Sequence, residues 1–441
     1  MGADGGAAEG KPSLLQWVTS LLDQAGVESE CNGPVVDDST SANGVDFCAS
    51  ELIAEEAPPA LLSQGAVDFA HCSLSDSKCS LKDLGGKPTL VYPGGKTGCA
   101  TWGDYAFAVS PGDSDKLAIY FEGGGACWES NGALGQVPVD QCNKDLEAAI
   151  RESNAGSGIL DASEEKNPFR SYTIVEVFYC SGDAFTGNTT MQTQSGNLQQ
   201  RGYFNAEATV AWARANFPRR LTSFAALGFS AGSLGTMAWA GELLKTFKYK
   251  SAVVLLDSYA GAFPHGTQGY TLQRWNACGT PLFAGDARAE CEAGGATIQK
   301  IFMQTMEKFP EVAYGSIQSK TDGSQIWFYQ GMAKSWGMMD DAALTGPEFY
   351  ELTNSIFEEF HAAAKNYAVY YVDGSQHCFT PNSKVYSATT VGADGGAVEG
   401  KPALLQWMAD FVSQVDVASE CNGPAEDDGG VGSCSAELFA Q

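Results

Sequence analysis

The stretch Leu227-Gly228-Phe229-Ser230-Ala231-Gly232 constrains this chain more than any other. It reads G-x-S-x-G. The apolar run Leu221 to Leu227 before it suits a buried strand. Ala231 to Phe247 after it predicts a helix, with Leu234, Met237, Ala238 and Gly241 on one face. A strand, a sharp turn and a helix form the frame in which a serine hydroxyl stands strained and accessible. The flanking glycines have no Cβ, so the turn can tighten around Ser230. The helix start behind it offers N–H groups to a developing negative charge. A Gly-rich turn without chemistry would read the same over six residues, so the rest of the chain must carry the argument.

The chain has 441 residues, 44% of them hydrophobic, enough for one large core or two moderate ones. No apolar run reaches the roughly 18 residues of a membrane-spanning helix, so no membrane span is expected. A net charge of −27 disfavours nucleic acid, anionic lipid and polyanionic polymers as simple electrostatic partners. Thirteen cysteines contain no C-x-x-C pair and histidines number four, so no metal site is expected. The close pairs Cys72/Cys79, Cys127/Cys142, Cys278/Cys291 and Cys421/Cys434 predict disulfides and an oxidising compartment. The alternative is a cytosolic protein with scattered thiols. The odd count leaves at least one thiol free or paired between chains. Met1 to Gly6 lacks the basic region and apolar core of a signal peptide. An extracellular or secretory-pathway location is expected all the same, with the address outside this sequence.

Residues 1–34 and 391–424 are near copies: GADGGAAEGKPSLLQW recurs as GADGGAVEGKPALLQW, and SECNGP ends both. Cys48 to Leu52 is echoed by Cys434 to Leu438. The repeat distance is nearly a whole domain, too long for a solenoid. The expected organisation is an orphan copy of a preceding unit's tail plus linker over 1–65, and one large unit over 66–441 with its own tail. The alternative is two copies of a small interaction module around a domain. Leu404, Trp407, Met408, Phe411, Val412 and Val415 fall on one helical stripe, which predicts a closing helix. Leu14, Leu15, Trp17, Val18, Leu21 and Leu22 repeat that stripe. Two such helices for one groove raise the expectation of a swapped dimer through the N-terminal repeat.

Thr89 to Tyr92 and Tyr105 to Val109 predict a β-hairpin around a Gly-rich loop. Strands are expected at Leu117–Phe121, Tyr172–Tyr179, Ala252–Leu256, Glu311–Ser319 and Ala368–Val372, and helices at Asn205–Phe217 and Glu348–Asn366. Phe263 to Lys308 shows no strand and reads as a lid-like insertion; 258–310 has no role assigned by pattern. This alternation implies an α/β fold, a mainly parallel sheet with helices on both faces. Ligands then bind beyond the carboxyl ends of the strands. The strand ending at Phe121 runs into Glu122-Gly123-Gly124-Gly125-Ala126, where backbone N–H groups stand clear of side chains, as an oxyanion site requires.

Ser230 needs a base. His71 is expected upstream of the fold in a polar, Cys-bearing segment, His361 sits mid-helix and His265 lies in the lid-like segment. His377 follows the last strand, downstream of the serine, and is the expected base, with His265 as the alternative. Asp322 follows the strand before it and is the expected orienting acid. Asp257, at the end of the strand after the elbow, is the alternative, and Asp373 reads as a turn residue.

With YFEGGGACW (120–128), FYCSGDAFTGN (178–188), Arg201-Gly202…Asn205, GFSAGS (228–233), Asp322…Gln325 and the final histidine loop, the chain resembles the pectin acetylesterase/Notum carboxylesterase family. The matches run in order from about Cys99 to near Val415. The resemblance implies an α/β-hydrolase-like serine carboxylesterase, cofactor-free, disulfide-bonded and usually secreted. It implies Ser230, His377 and Asp322 as triad and the N–H groups of Gly124, Gly125 and Ala231 as oxyanion donors. It puts Asn188 of the formal Asn-x-Thr site in an active-site loop, which argues against glycosylation there. The expected partner is an ester substrate, an acetylated polysaccharide. A longer-acyl or lipid ester and a non-catalytic binding role on the same scaffold are the other readings; the intact Ser230/Asp322/His377 set argues against the last.

Overall fold

The computed structural model describes residues 68–129, 138–387, 403–414 and 420–421, apart from 77, 154, 194–195, 339 and 373. The N-terminal repeat, the linker, Asp373 and the Cys421/Cys434 pairing therefore lie outside the described residues. The described strands are β1 (Ala70–Ser73), β2 (Thr89–Tyr92), β3 (Phe107–Ser110), β4 (Asp113–Phe121), β5 (Gly125–Glu129), β6 (Pro138–Cys142) and β7 (Tyr172–Val177). They continue with β8 (Thr189–Thr193), β9 (Gly196–Gln200), β10 (Leu221–Phe229), β11 (Tyr249–Asp257), β12 (Ala313–Ser319), β13 (Tyr367–Val372) and the two-residue β14 (Glu420–Cys421).

Ten of them form one sheet in the order β1-β2-β3-β7-β4-β10-β11-β12-β13-β14. All its neighbouring pairs are parallel except the two that involve β3. Strands buried on both faces need apolar side chains at consecutive positions, and β4, β10, β11 and β13 have them. Alternate residues then belong to opposite cores. Phe224 and Ala226 of β10 join Val254 and Leu256 of β11 on one face. Ala225, Leu227, Val253 and Leu255 point to the other. The helices Gly202–Asn216, Ala231–Thr246, Ile298–Lys308 and Gly346–Ala363 contribute to the first core. Leu404–Val412 contributes Leu404, Trp407, Met408 and Phe411 to the second. This is the α/β-hydrolase-like arrangement expected, with helices on both faces.

The predicted strand and helix ends move by at most four residues, and β2 falls where expected at both ends. His71 is not upstream of the fold: it lies in β1, stacked on Tyr92 of β2 with ring centroids 6.0 Å apart. The glycine-rich turn after β4 passes into β5, which pairs antiparallel with β6. The segment Phe263–Lys308 holds the helices Thr267–Arg274, Asp286–Glu292 and Ile298–Lys308. Its Leu272, Trp275, Phe283 and Phe302 join the main core, so this insertion is packed into the molecule rather than laid over it.

Four disulfides occur among the described residues. Cys72–Cys79, Cys127–Cys142 and Cys278–Cys291 are the short-range pairs expected. The fourth, Cys99–Cys180, spans 81 residues and joins two cysteines that no spacing pattern links. Cys378 carries a free thiol and is buried.

Candidate active site

The elbow is tight because two glycines let backbones touch. A Cβ on Gly228 would lie 2.2 Å from the carbonyl oxygen of Gly232, and one on Gly232 would lie 2.0 Å from that of Phe121. Ser230 between them has φ 53° and ψ −125°, a conformation disfavoured for any residue with a side chain. Its N–H donates to the Asp257 carbonyl at 2.9 Å, which locks the turn onto the next strand. The helix Ala231–Thr246 starts at the following residue, so the Ala231 N–H has no partner one turn earlier in its own helix.

Parallel strands put all their carboxyl ends on one edge of the sheet. The Gly124 turn leaves β4, Ser230 leaves β10, Asp257 ends β11, Asp322 follows β12 and His377 follows β13. These five strands are consecutive neighbours, β4-β10-β11-β12-β13. Sequence order and sheet order together deliver the three predicted side chains to one point. His377 Nδ1 lies 3.0 and 2.8 Å from the two Asp322 carboxylate oxygens. His377 Nε2 lies 2.9 Å from Ser230 Oγ. A carboxylate only accepts, so Nδ1 carries the hydrogen and Nε2 accepts from the serine hydroxyl. Ser230 is nearly buried, at 8% exposure, and the His377 side chain is 23% exposed.

Asp322 also caps the helix Gly323–Ser335: one carboxylate oxygen accepts from Gln325 N–H at 2.9 Å, the other from Gln325 Nε2 at 2.9 Å. Asp257 makes a different set of bonds. Its carboxylate is fully buried and accepts from the N–H groups of Phe379 (2.9 Å) and Thr380 (2.6 Å) and the hydroxyls of Thr380 (2.6 Å) and Ser258 (2.8 Å). It clamps the loop beyond the histidine rather than the imidazole. Burial pushes its pKa up against the pull of those hydrogen bonds. His265 is exposed on the insertion, and His361 bonds the Tyr367 carbonyl through Nδ1 at 3.2 Å.

Burial works against a charge on His377, but the hydrogen bond and charge of Asp322, with the charges of Asp257 and Glu152, outweigh it and raise its pKa above the ordinary imidazole value. Burial, with the same three acids, pushes the neighbouring Cys378 thiol far up, so it stays protonated and is no rival nucleophile.

Gly124, Gly125, Ser230 and His377 border a shared cleft, and Ala231 joins Gly125, Ser230 and His377 on a second space beside it. That second space is apolar, walled by Trp128, Tyr259, Phe263, Trp275, Phe328 and Met332. Of these only Trp128 lies in a motif visible in the sequence; the others come from separate loops and helices with no local signal. Beneath the glycine turn, Glu122 is fully buried and accepts from Tyr179 N–H at 2.8 Å, tying the end of β4 to the segment that follows β7. Burial and the nearby Glu176 charge raise the Glu122 pKa far above the carboxylate range; burial pushes Glu176 up to about 8, against its Ser153 hydrogen bond. Asn188 accepts from Arg201 Nη1 at 3.3 Å and is half-buried.

Residues 101–283 match the family model described as Pectinacetylesterase. That span holds the glycine turn, the elbow and Asp257, but neither Asp322 nor His377. Among curated proteins, pectin acetylesterase 7 of Arabidopsis thaliana is 28% identical over 155 residues, covering 34% of this chain and 37% of the relative's length.

Proposed function

We propose that this chain is a serine carboxylesterase of the pectin acetylesterase kind, working through an acyl-enzyme. The observation that carries the reading is the unbroken hydrogen-bond chain Ser230–His377–Asp322. Ser230 Oγ attacks the ester carbonyl carbon while His377 Nε2 takes its proton, and Asp322 holds the tautomer and the imidazolium. The N–H groups of Gly124, Gly125 and Ala231 stabilise the tetrahedral oxyanion. His377 then protonates the departing alcohol. Water repeats the sequence to free the acid and the serine. No cofactor, metal or nucleic acid takes part in this scheme.

The substrate we favour is an acetylated polysaccharide, by analogy with the relative's name. A second reading has a specific observation behind it: the aromatic walls at Trp128, Phe263 and Trp275 suit a longer acyl chain, as in a lipid or acylated protein. Four disulfides among the described residues fit an extracellular setting. The unit over 66–441 acts alone in this scheme, with 1–65 as an appended copy of its tail.

The test is a series of 4-nitrophenyl esters from acetate to octanoate, with Ser230→Ala and His377→Ala beside the parent. Each substitution is expected to cut turnover on the order of 10³-fold or more while the melting temperature holds. Activity retained by Ser230→Ala would sink the mechanism. A rate that climbs toward octanoate would move the substrate to the longer-acyl reading.

A further inference from the structure

The two spaces that meet at Ser230 differ in chemistry. One is the aromatic pocket; the other is an open cleft lined by Gln141, Asn143, Lys144, Glu152 and Ser324. Ser230 and His377 border both. An ester has an acyl end and an alcohol end, and only the alcohol leaves with a proton. The proton that His377 Nε2 takes from Ser230 Oγ moves to the alcohol oxygen as the carbonyl carbon–oxygen bond breaks. The alcohol must therefore depart on a side that His377 reaches, and the acyl group fills the other. Side chains with donors and acceptors suit hydroxyl groups, and an aromatic wall suits hydrocarbon.

Asn143 stands out in the polar cleft. Its backbone N–H donates to the Gly124 carbonyl at 2.9 Å, which sets it beside the proposed oxyanion turn. Its side-chain amide packs on that glycine: a Cβ there would lie 2.5 Å from Asn143 Nδ2. That nitrogen is buried and has no hydrogen-bond partner among the described residues. Buried amide hydrogens are nearly always paired, so this one beside the candidate reaction centre is a donor available to a substrate oxygen. Asn143 lines the polar cleft, and the asparagine χ2 torsion is soft, so its amide is free to reorient there. The preceding residue, Cys142, is tied to Cys127 by a disulfide, which anchors the backbone from which this rotation starts.

Resting on the esterase reading, we infer that the polar cleft is the alcohol subsite, that it takes a polyhydroxylated alcohol of the sugar class, and that Asn143 determines its specificity. The test compares kcat/KM on a mono-O-acetyl methyl glycoside with that on 4-nitrophenyl acetate, whose leaving group has no free hydroxyl beyond the ester oxygen. In Asn143→Ala the ratio of the two is expected to fall by at least about fivefold, the worth of one hydrogen bond. Turnover of the nitrophenyl ester shows that the variant is folded. A smaller change in the ratio overturns the assignment. If the parent chain hydrolyses neither ester, the esterase reading falls, and saturation-transfer NMR with the free methyl glycoside decides the subsite by itself. Signal on the parent that is lost in Asn143→Ala upholds it; equal signal on both, or none on the parent, overturns it.

Discussion

Asp257 and Asp322 both end a run into the site from neighbouring strands, yet their hydrogen bonds set them apart. Asp322 faces the imidazole and caps a helix. An asparagine caps equally well, so Asp322→Asn should keep the fold and lose turnover by about 10⁴-fold through the wrong tautomer. Asp257→Asn puts an amide against the N–H groups of Phe379 and Thr380, and should lower stability by about 1–3 kcal/mol along with activity. Paired thermal melts and kinetics check this; a stable but inactive Asp257→Asn with a working Asp322→Asn reverses the assignment. The raised His377 pKa sets the pH dependence. A base must be neutral, so kcat/KM should rise with pH through a midpoint above about 6.5, the ordinary histidine value. Stability runs the other way for this residue: the held imidazolium favours the fold below the unfolded pKa, and that contribution is lost as pH rises through the folded one. A kcat/KM profile from pH 4 to 9 with its midpoint below 6 contradicts the geometry.

Among elements, the closing helix Leu404–Val412 was legible from its stripe, and its seat was not. Trp407 and Phe411 stack with centroids 5.2 Å apart, and Trp407 meets Tyr370 of β13 at 5.4 Å. The seat exists because Gly315 of β12 has no side chain: a Cβ there would lie 2.8 Å from the Phe411 ring and 3.2 Å from that of Trp407. Gly315→Ala should therefore lower stability by about 1–3 kcal/mol through overpacking. Trp407→Ala should cost about 3–5 kcal/mol through the cavity it leaves. Denaturant unfolding of both checks the pair, and an unchanged Gly315→Ala removes the argument for the seat. The helix Gly323–Ser335 was missed because Ile326, Trp327 and Phe328 sit at consecutive positions rather than on one stripe, and Trp327 is 47% exposed. Its signal was the cap: Asp322 followed three residues later by Gln325.

At the scale of the molecule, one tail is seated and its sequence exists twice. Leu404, Trp407, Met408 and Phe411 are each at most 2% exposed, so deleting them uncovers the second core. A chain ended near Thr390 should lose several kcal/mol, a large share of a domain's stability, and with it soluble active protein. A chain started at Ala66 should fold and keep its activity, since β1 begins only at Ala70. Expression, melting and esterase assays of the two truncations check this proposal. Activity in the first or its loss in the second would overturn it, and swapping through the N-terminal copy would then account for a rescued first truncation.

What the amino-acid order alone determined here is local or one-dimensional. Apolar runs mark strands, turn chemistry marks the elbow at Ser230, and chain order puts an acid and then His377 after it. A parallel sheet turns that order into proximity, so the candidate triad could be read without coordinates. The tertiary structure decided what depends on packing between distant segments. It set Asp322 rather than Asp257 against the His377 imidazole, joined Cys99 to Cys180 across 81 residues, and divided the space around Ser230 into an aromatic side and a polar side. Those features have no period and no motif because their parts come from different strands, loops and helices. They exist only once the sheet has brought the ends of β4, β10, β11, β12 and β13 to a common edge.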